Sequence, residues 1–291
     1  MKVNRHSLAR FWGGCLPAGI TQEAKVKVSI RVGFGTPERE GQHPLEPVLK
    51  SAAELGYDGI ELMLMPGPMW GARGLQPWSP MLTKEDRAEM VRLAEQYGVE
   101  IATLSADWAW GYAQYCPHLD HWARGVEILK SDIQLAHDLK AKAILVHFGT
   151  SQSQDWEQVK AIAVELAEEG EKHQIKVGFE GGIFARVGVG GLEALARLID
   201  EIDSPWFGAY EHCYWPRGKT QPHEEIELFG QHIVCLHSGR LDFEHVDYEK
   251  MCAALKKVGY NWYWVFEVEG LGTPVAEESK RGFDKIMAQY W

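Results

Sequence analysis

Strand-like and helix-like segments alternate along almost the whole chain, and that alternation limits its folds more than any single motif. Residues 28–34, 59–65, 99–105 and 143–148 are apolar, β-rich runs, as are 176–180, 207–211, 232–237 and 263–268. Between and after them, residues 45–55, 83–97, 119–139, 155–173, 192–202, 224–229, 248–258 and 275–289 carry apolar side chains at helical spacing. Thr83 and Asp155 stand where N-caps are expected, and Gly56, Gly98 and Gly259 where helices stop. Strictly alternating βα units imply a parallel sheet. Eight of them in about 260 residues predict an α/β fold, a closed (β/α)8 TIM barrel of one domain, whose usual size is about 250 residues. A doubly wound open sheet is the competitor. It wants a glycine-rich turn after its first strand, but Gly33 and Gly35 lead into Thr36-Pro37-Glu38. Residues 26–291 are assigned to the barrel and residues 1–25 to an N-terminal extension.

Charge and cysteine usage narrow the partners. Lys plus Arg is 30 and Asp plus Glu is 41, a formal net charge of −11. With no basic surplus to displace counterions, nucleic acid is not an expected partner. The five cysteines (Cys15, Cys116, Cys213, Cys235 and Cys252) are odd in number and form no CxxC pair. They give neither a disulfide framework nor a zinc knuckle, and a reducing cytoplasm is the expected location. No apolar run is long enough to span a membrane. Lys2, Arg5 and Arg10 precede an apolar stretch, but Gly13, Gly14 and Pro17 interrupt it, so it is a poor signal peptide.

In a barrel of this kind, functional residues come from the C-terminal ends of several strands. Those ends offer Asp107, His147, Glu180, Glu211, His237 and Glu267. Glu180 and Glu267 each close an apolar run, where an isolated carboxylate is costly unless paired or metal-bound. A divalent cation at the barrel mouth would satisfy several of them together. The connection 66–80, long and rich in Pro and Gly, rises from the same face and is expected to be functional.

Four segments carry a resemblance to a known family. They are Ala-Ala-Glu-Leu-Gly-Tyr-Asp-Gly-Ile-Glu at 52–61, Val-Gly-Phe-Glu at 177–180, Ile-Val-Cys-Leu-His at 233–237, and residues 259–267, which begin Gly-Tyr and end at Glu267. Over roughly residues 26–290 the chain resembles the xylose-isomerase-like TIM-barrel superfamily of sugar isomerases, sugar-phosphate isomerases and 3-epimerases. The resemblance implies a metal site of Glu180, Glu211, His237 and Glu267. Glu211 then stands where the family has Asp, and Tyr214 where it often has the His of Asp-x-x-His. Such an oxygen-rich donor set suits Mn²⁺ best, with Mg²⁺, Co²⁺ or Zn²⁺ as alternatives.

The chemistry implied is proton removal next to a metal-polarised carbonyl, through an enediolate, with Glu180 and Glu267 as the acid–base pair. Returning the proton to the same carbon is epimerisation; delivering it to the neighbouring carbon is isomerisation. Substrate-binding positions are expected at His147, Asp107, Arg240, Trp108, Trp70 and Tyr214. Twelve tryptophans, among them Trp70, Trp78, Trp108, Trp110 and Trp215 in expected loops, favour a carbohydrate whose apolar C–H faces pack on aromatic rings. A phosphate could also be gathered by backbone N–H groups at Ser238-Gly239 or at residues 270–273. Three other readings stay open: an inosose-type dehydratase or lyase, a metal-dependent phosphodiesterase of the endonuclease kind, and a non-catalytic carbohydrate-binding barrel. Tyr214 and the acidic net charge speak against the phosphodiesterase. Homo-oligomerisation is left open.

Overall fold

The structure, a computed structural model, describes residues 25–36, 38–64, 81–106, 119–146, 156–180, 191–212, 220–268 and 270–291. Eight strands follow one another around a closed barrel. They are β1 (Lys27–Val32), β2 (Gly59–Met63), β3 (Glu100–Ser105), β4 (Ala143–Val146), β5 (Lys176–Glu180), β6 (Phe207–His212), β7 (Ile233–Ser238) and β8 (Tyr263–Phe266). Each pairs in parallel with the next, and β8 returns to β1 through Lys27 opposite Tyr263 and Ile30 opposite Phe266. Each strand is followed by a helix: α1 (Glu46–Leu55), α2 (Lys84–Tyr97), α3 (Leu119–Asp138), α4 (Trp156–His173), α5 (Gly191–Ile202), α6 (Pro222–Phe229), α7 (Tyr248–Lys257) and α8 (Pro274–Tyr290). The expected TIM barrel is therefore the fold.

Local chemistry sets the helix ends. Thr83 caps α2: its hydroxyl accepts from the Asp86 backbone N–H at 3.1 Å, and Asp86 accepts from the Thr83 N–H at 2.9 Å. Gly98 then ends that helix in the left-handed conformation, with φ of 64°. Asp247 caps α7 through the Lys250 N–H at 3.0 Å. Two boundaries differ from expectation. Helix α6 starts at Pro222 rather than Glu224, because proline presets the first-turn φ and Glu224 accepts from the Gln221 N–H at 2.8 Å. Strand β6 runs on to His212, and a 3-10 turn at Gly230–His232 leads into β7. Residues 1–24, the capping position Asp155 and the connection 66–80 lie outside the described residues.

Strand alternation divides the interior into two layers. One residue set, including Ile30, Ile60, Ile144, Val177, Leu236 and Trp264, packs outward against Leu49, Met90, Ile133, Leu166, Met251 and Phe283 of the helices. The alternate set fills the lumen with Ala102, Ala143, Leu145, Tyr210, Cys235, Tyr263 and Val265. Glycine makes room for the largest of these. A Cβ at Gly178 would stand 2.7 Å from Cδ2 of the Tyr210 ring. Above that apolar plug, toward the C-terminal ends of the strands, the lumen turns polar, and the site is built there.

The thiols of Cys235 and Cys252 are buried and free. Among the described residues no helix is long and apolar enough to cross a membrane.

Candidate active site

Glu61 lies in the middle of β2, between Ile60 and Leu62, and is fully buried. Its neighbours on the strand face the helices, so its carboxylate faces the lumen. A carboxylate there must be met by donors. Three arrive from three other strands: the Thr103 hydroxyl of β3 at 2.9 Å, the Tyr210 hydroxyl of β6, and Nε2 of His237 on β7 at 2.7 Å. Nε of Arg31 on β1 lies 4.0 Å from the same carboxylate. The Tyr210 ring stands edge-on to the His237 imidazole, with centroids 5.1 Å apart.

The other side of His237 faces the rim. Its Nδ1 is 3.8 Å from Oε2 of Glu267, the residue directly after β8. The Glu267 backbone N–H donates to the Ser238 carbonyl at 2.7 Å, which pins β8 to β7 at this level. Its carboxylate is ion-paired with Nη1 of Arg31 and is one-third exposed, so it faces solvent where Glu61 does not. Arg31, His237, Glu61 and Glu267 thus link β1, β7, β2 and the end of β8 across the mouth of the barrel.

Electrostatics follow from this packing. Burial pushes the Glu61 carboxyl up, but the charges of His237 and Arg31 and the hydrogen bonds from His237 and Tyr210 outweigh it, and the net shift is downward. Burial pushes the His237 imidazole down, but the Glu61 charge, its hydrogen bond and the Glu267 charge carry the net shift upward. The Tyr210 phenol is raised well above its ordinary value, first by burial and then by the charges around it. The group therefore favours an ionised Glu61 and a neutral tyrosine hydroxyl.

The residues expected from the sequence fall into three groups. Glu180 closes β5 level with Tyr210, on the lumen side of Phe179. His237 and Glu267 meet as described. Glu211 is placed elsewhere. It is fully buried, and it pairs in register with Leu236 of β7, a helix-facing residue. Tyr210 points into the lumen, so alternation turns Glu211 the other way, into the strand–helix layer. The rung of β6 level with His237 is occupied by His212. Arg240 is exposed in the bend after β7. Ser238 is buried with its hydroxyl accepting from the Trp264 indole N–H at 2.8 Å. Asp107, His147, Trp70, Trp108 and Tyr214 lie outside the described residues. Among the described residues no three His, Cys, Asp or Glu side chains gather into a group that could hold a metal ion. Of the expected clasp, His237 and Glu267 stand 3.8 Å apart, and Glu211 pairs in register with a helix-facing residue.

Glu61 and Arg31 escape a reading of strand ends alone. A signal was present: a glutamate flanked by isoleucine and leucine in a strand buried on both faces requires partners.

No curated protein matches the chain in sequence. Solved structures do match in fold. The xylose isomerase domain protein from Planctomyces limnophilus superposes with a TM-score of 0.67 at 14% identity, over 91% of this chain and 97% of that one. D-allulose 3-epimerase from Methylomonas sp., in complex with D-allulose, gives 0.67 at 16% identity, over 90% and 97%. D-psicose 3-epimerase from Clostridium cellulolyticum H10, with D-tagatose, gives 0.65 at 14%, over 91% and 92%. At such identities the likeness is one of fold. The sequence itself goes further: residues 49–288 match the family described as Xylose isomerase-like TIM barrel, and the chain belongs to that family.

Proposed function

We propose that the chain is a metal-dependent epimerase or isomerase of a sugar or polyol, working at the C-terminal mouth of the barrel. The observation that carries the reading is the line Glu61–His237–Glu267–Arg31. It presents one imidazole nitrogen and one part-exposed carboxylate side by side above a closed, apolar plug. Support comes from the sugar-bound epimerases that share the fold over nearly their whole length.

The donor chemistry fits a divalent cation. His237 has one nitrogen held by a carboxylate and the other facing a second carboxylate, the arrangement that metal-binding imidazoles use. His237 and Glu267 would hold the ion with Glu180 from β5; Mn²⁺ suits this set best, and Mg²⁺, Co²⁺ or Zn²⁺ are alternatives. The proposed set leaves out Glu211, which pairs in register with the helix-facing Leu236. When bound, the cation supplies Lewis-acid polarisation of the substrate carbonyl.

The chain's own residues do the rest. One carboxylate of the Glu180 and Glu267 pair removes the proton from the carbon beside the carbonyl, and the electron pair passes into an enediolate. The other carboxylate returns a proton from the opposite face, which inverts that carbon. Arg31 holds Glu267 in place. Arg240, exposed beside the mouth, is proposed to meet a substrate oxygen, as are His147, Asp107, Trp108, Trp70 and Tyr214.

The test is product analysis. Chelator-stripped protein is refilled with Mn²⁺ and incubated with a panel of ketoses that includes D-allulose, D-tagatose and D-fructose. Conversion to a 3-epimer or to the matching aldose supports the proposal. Net loss of water would replace it with the dehydratase reading, and no turnover by metal-loaded protein would overturn it.

A further inference from the structure

Building on the proposed cation site, we infer that Glu61 is a positioning residue: it decides which nitrogen of His237 is offered to the rim. The carboxylate has no proton to give, so the 2.7 Å contact with His237 requires the hydrogen to sit on Nε2. In the neutral ring Nδ1 then carries no hydrogen, and Nδ1 is the nitrogen 3.8 Å from Glu267. Glu61 cannot readily turn away from this duty. Its second oxygen is taken by Thr103 at 2.9 Å and by the Tyr210 hydroxyl. The Tyr210 ring packs edge-on against the imidazole, with centroids 5.1 Å apart. The four residues come from β2, β3, β6 and β7, so the closed barrel itself fixes the arrangement.

A plain structural role would need only a filled lumen. A positioning role needs this tautomer, and the two differ in the ring spectrum. Protein with ¹⁵N-labelled histidine is examined free of metal by two-bond ¹H–¹⁵N correlation, at a pH where the His237 ring is neutral. The inference predicts a hydrogen on Nε2 and none on Nδ1. A ring protonated on Nδ1 overturns it, whatever the enzyme does.

The second arm adds Zn²⁺ as a diamagnetic probe. The Nδ1 signal should move while Nε2–H persists. Glu61→Gln, which can donate as well as accept, should release the tautomer and weaken Zn²⁺ binding by about 10–100-fold, read by calorimetry. Unchanged affinity and an unchanged ring spectrum in folded Glu61→Gln overturn the inference. Should that variant fail to fold, the spectrum of the unmutated protein still decides. Failure of the unmutated protein to bind Zn²⁺, Mn²⁺, Mg²⁺ or Co²⁺ counts against the cation reading of the site, and the tautomer measurement stands apart from it.

Discussion

Three hydrogen-bond donors converge on the carboxylate of Glu61, and the two hydroxyls among them can be removed by near-isosteric changes. Tyr210→Phe deletes one hydroxyl and keeps the ring. A hydrogen bond to a charged group is worth roughly 1.5–3 kcal/mol, so unfolding in urea should shift by about that much with an unchanged slope. At the rim the expectation concerns rate rather than stability. Glu180→Gln and Glu267→Gln each remove a proton carrier, and turnover should fall by about 10²–10⁴-fold, with the far-ultraviolet spectrum unchanged. A variant of either residue with full activity would remove it from the acid–base pair. At this scale the sequence is only partly legible. Glu180, His237 and Glu267 stand out as polar residues closing apolar strands. Glu211 does too, but the side a residue faces depends on parity along the strand. That parity is read from its strand neighbours, since Phe207 and Ala209 pack toward the helices and Tyr210 into the lumen. Glu61 is hidden for the opposite reason: it lies in the middle of its strand, and only the barrel shows that its partners come from β3, β6 and β7.

Elements hold these residues at the right height, and two of their contacts can be tested. Strand β6 passes so close to the turn before β7 that a Cβ on Gly208 would stand 2.1 Å from the His232 carbonyl oxygen. Gly208→Ala should therefore cost at least about 1–3 kcal/mol, the range for overpacking, seen as a lower urea midpoint. Helices α4 and α5 are joined by Glu201. It accepts from the Trp156 indole at 3.0 Å, Lys160 at 3.0 Å and Arg197 at 2.7 Å. These hydrogen bonds bring its carboxyl pKa down to about 2. Because the folded value is depressed, the clasp contributes fully above the ordinary carboxylate pKa and is lost as the pH falls through about 2. A ¹³C carboxyl titration should give Glu201 a midpoint near 2; one near 4 would mean that the clasp does not hold in solution. Most helices are legible in the amino-acid order, since Thr83, Gly56, Gly98 and Gly259 mark their limits by local chemistry alone. The ends of β6 and β7 are not, because they are set by the 3-10 turn and by pairing between strands far apart in sequence.

The whole molecule contributes closure. Pairing of β1 with β8 brings Arg31 to Glu267 and completes a ring in which residues from the two ends of the barrel share one site. That closure follows from the count of βα units, so the architecture is the most legible feature of all. The chemistry claimed for it is movement of a proton at the carbon beside a ketose carbonyl, and exchange with solvent reads this step directly. In D₂O, the Mn²⁺-loaded protein should place deuterium on that carbon of a ketose it turns over, and Glu180→Gln and Glu267→Gln should abolish the label. Turnover that leaves the carbon unlabelled in every ketose tried, with bound metal verified, would contradict the account.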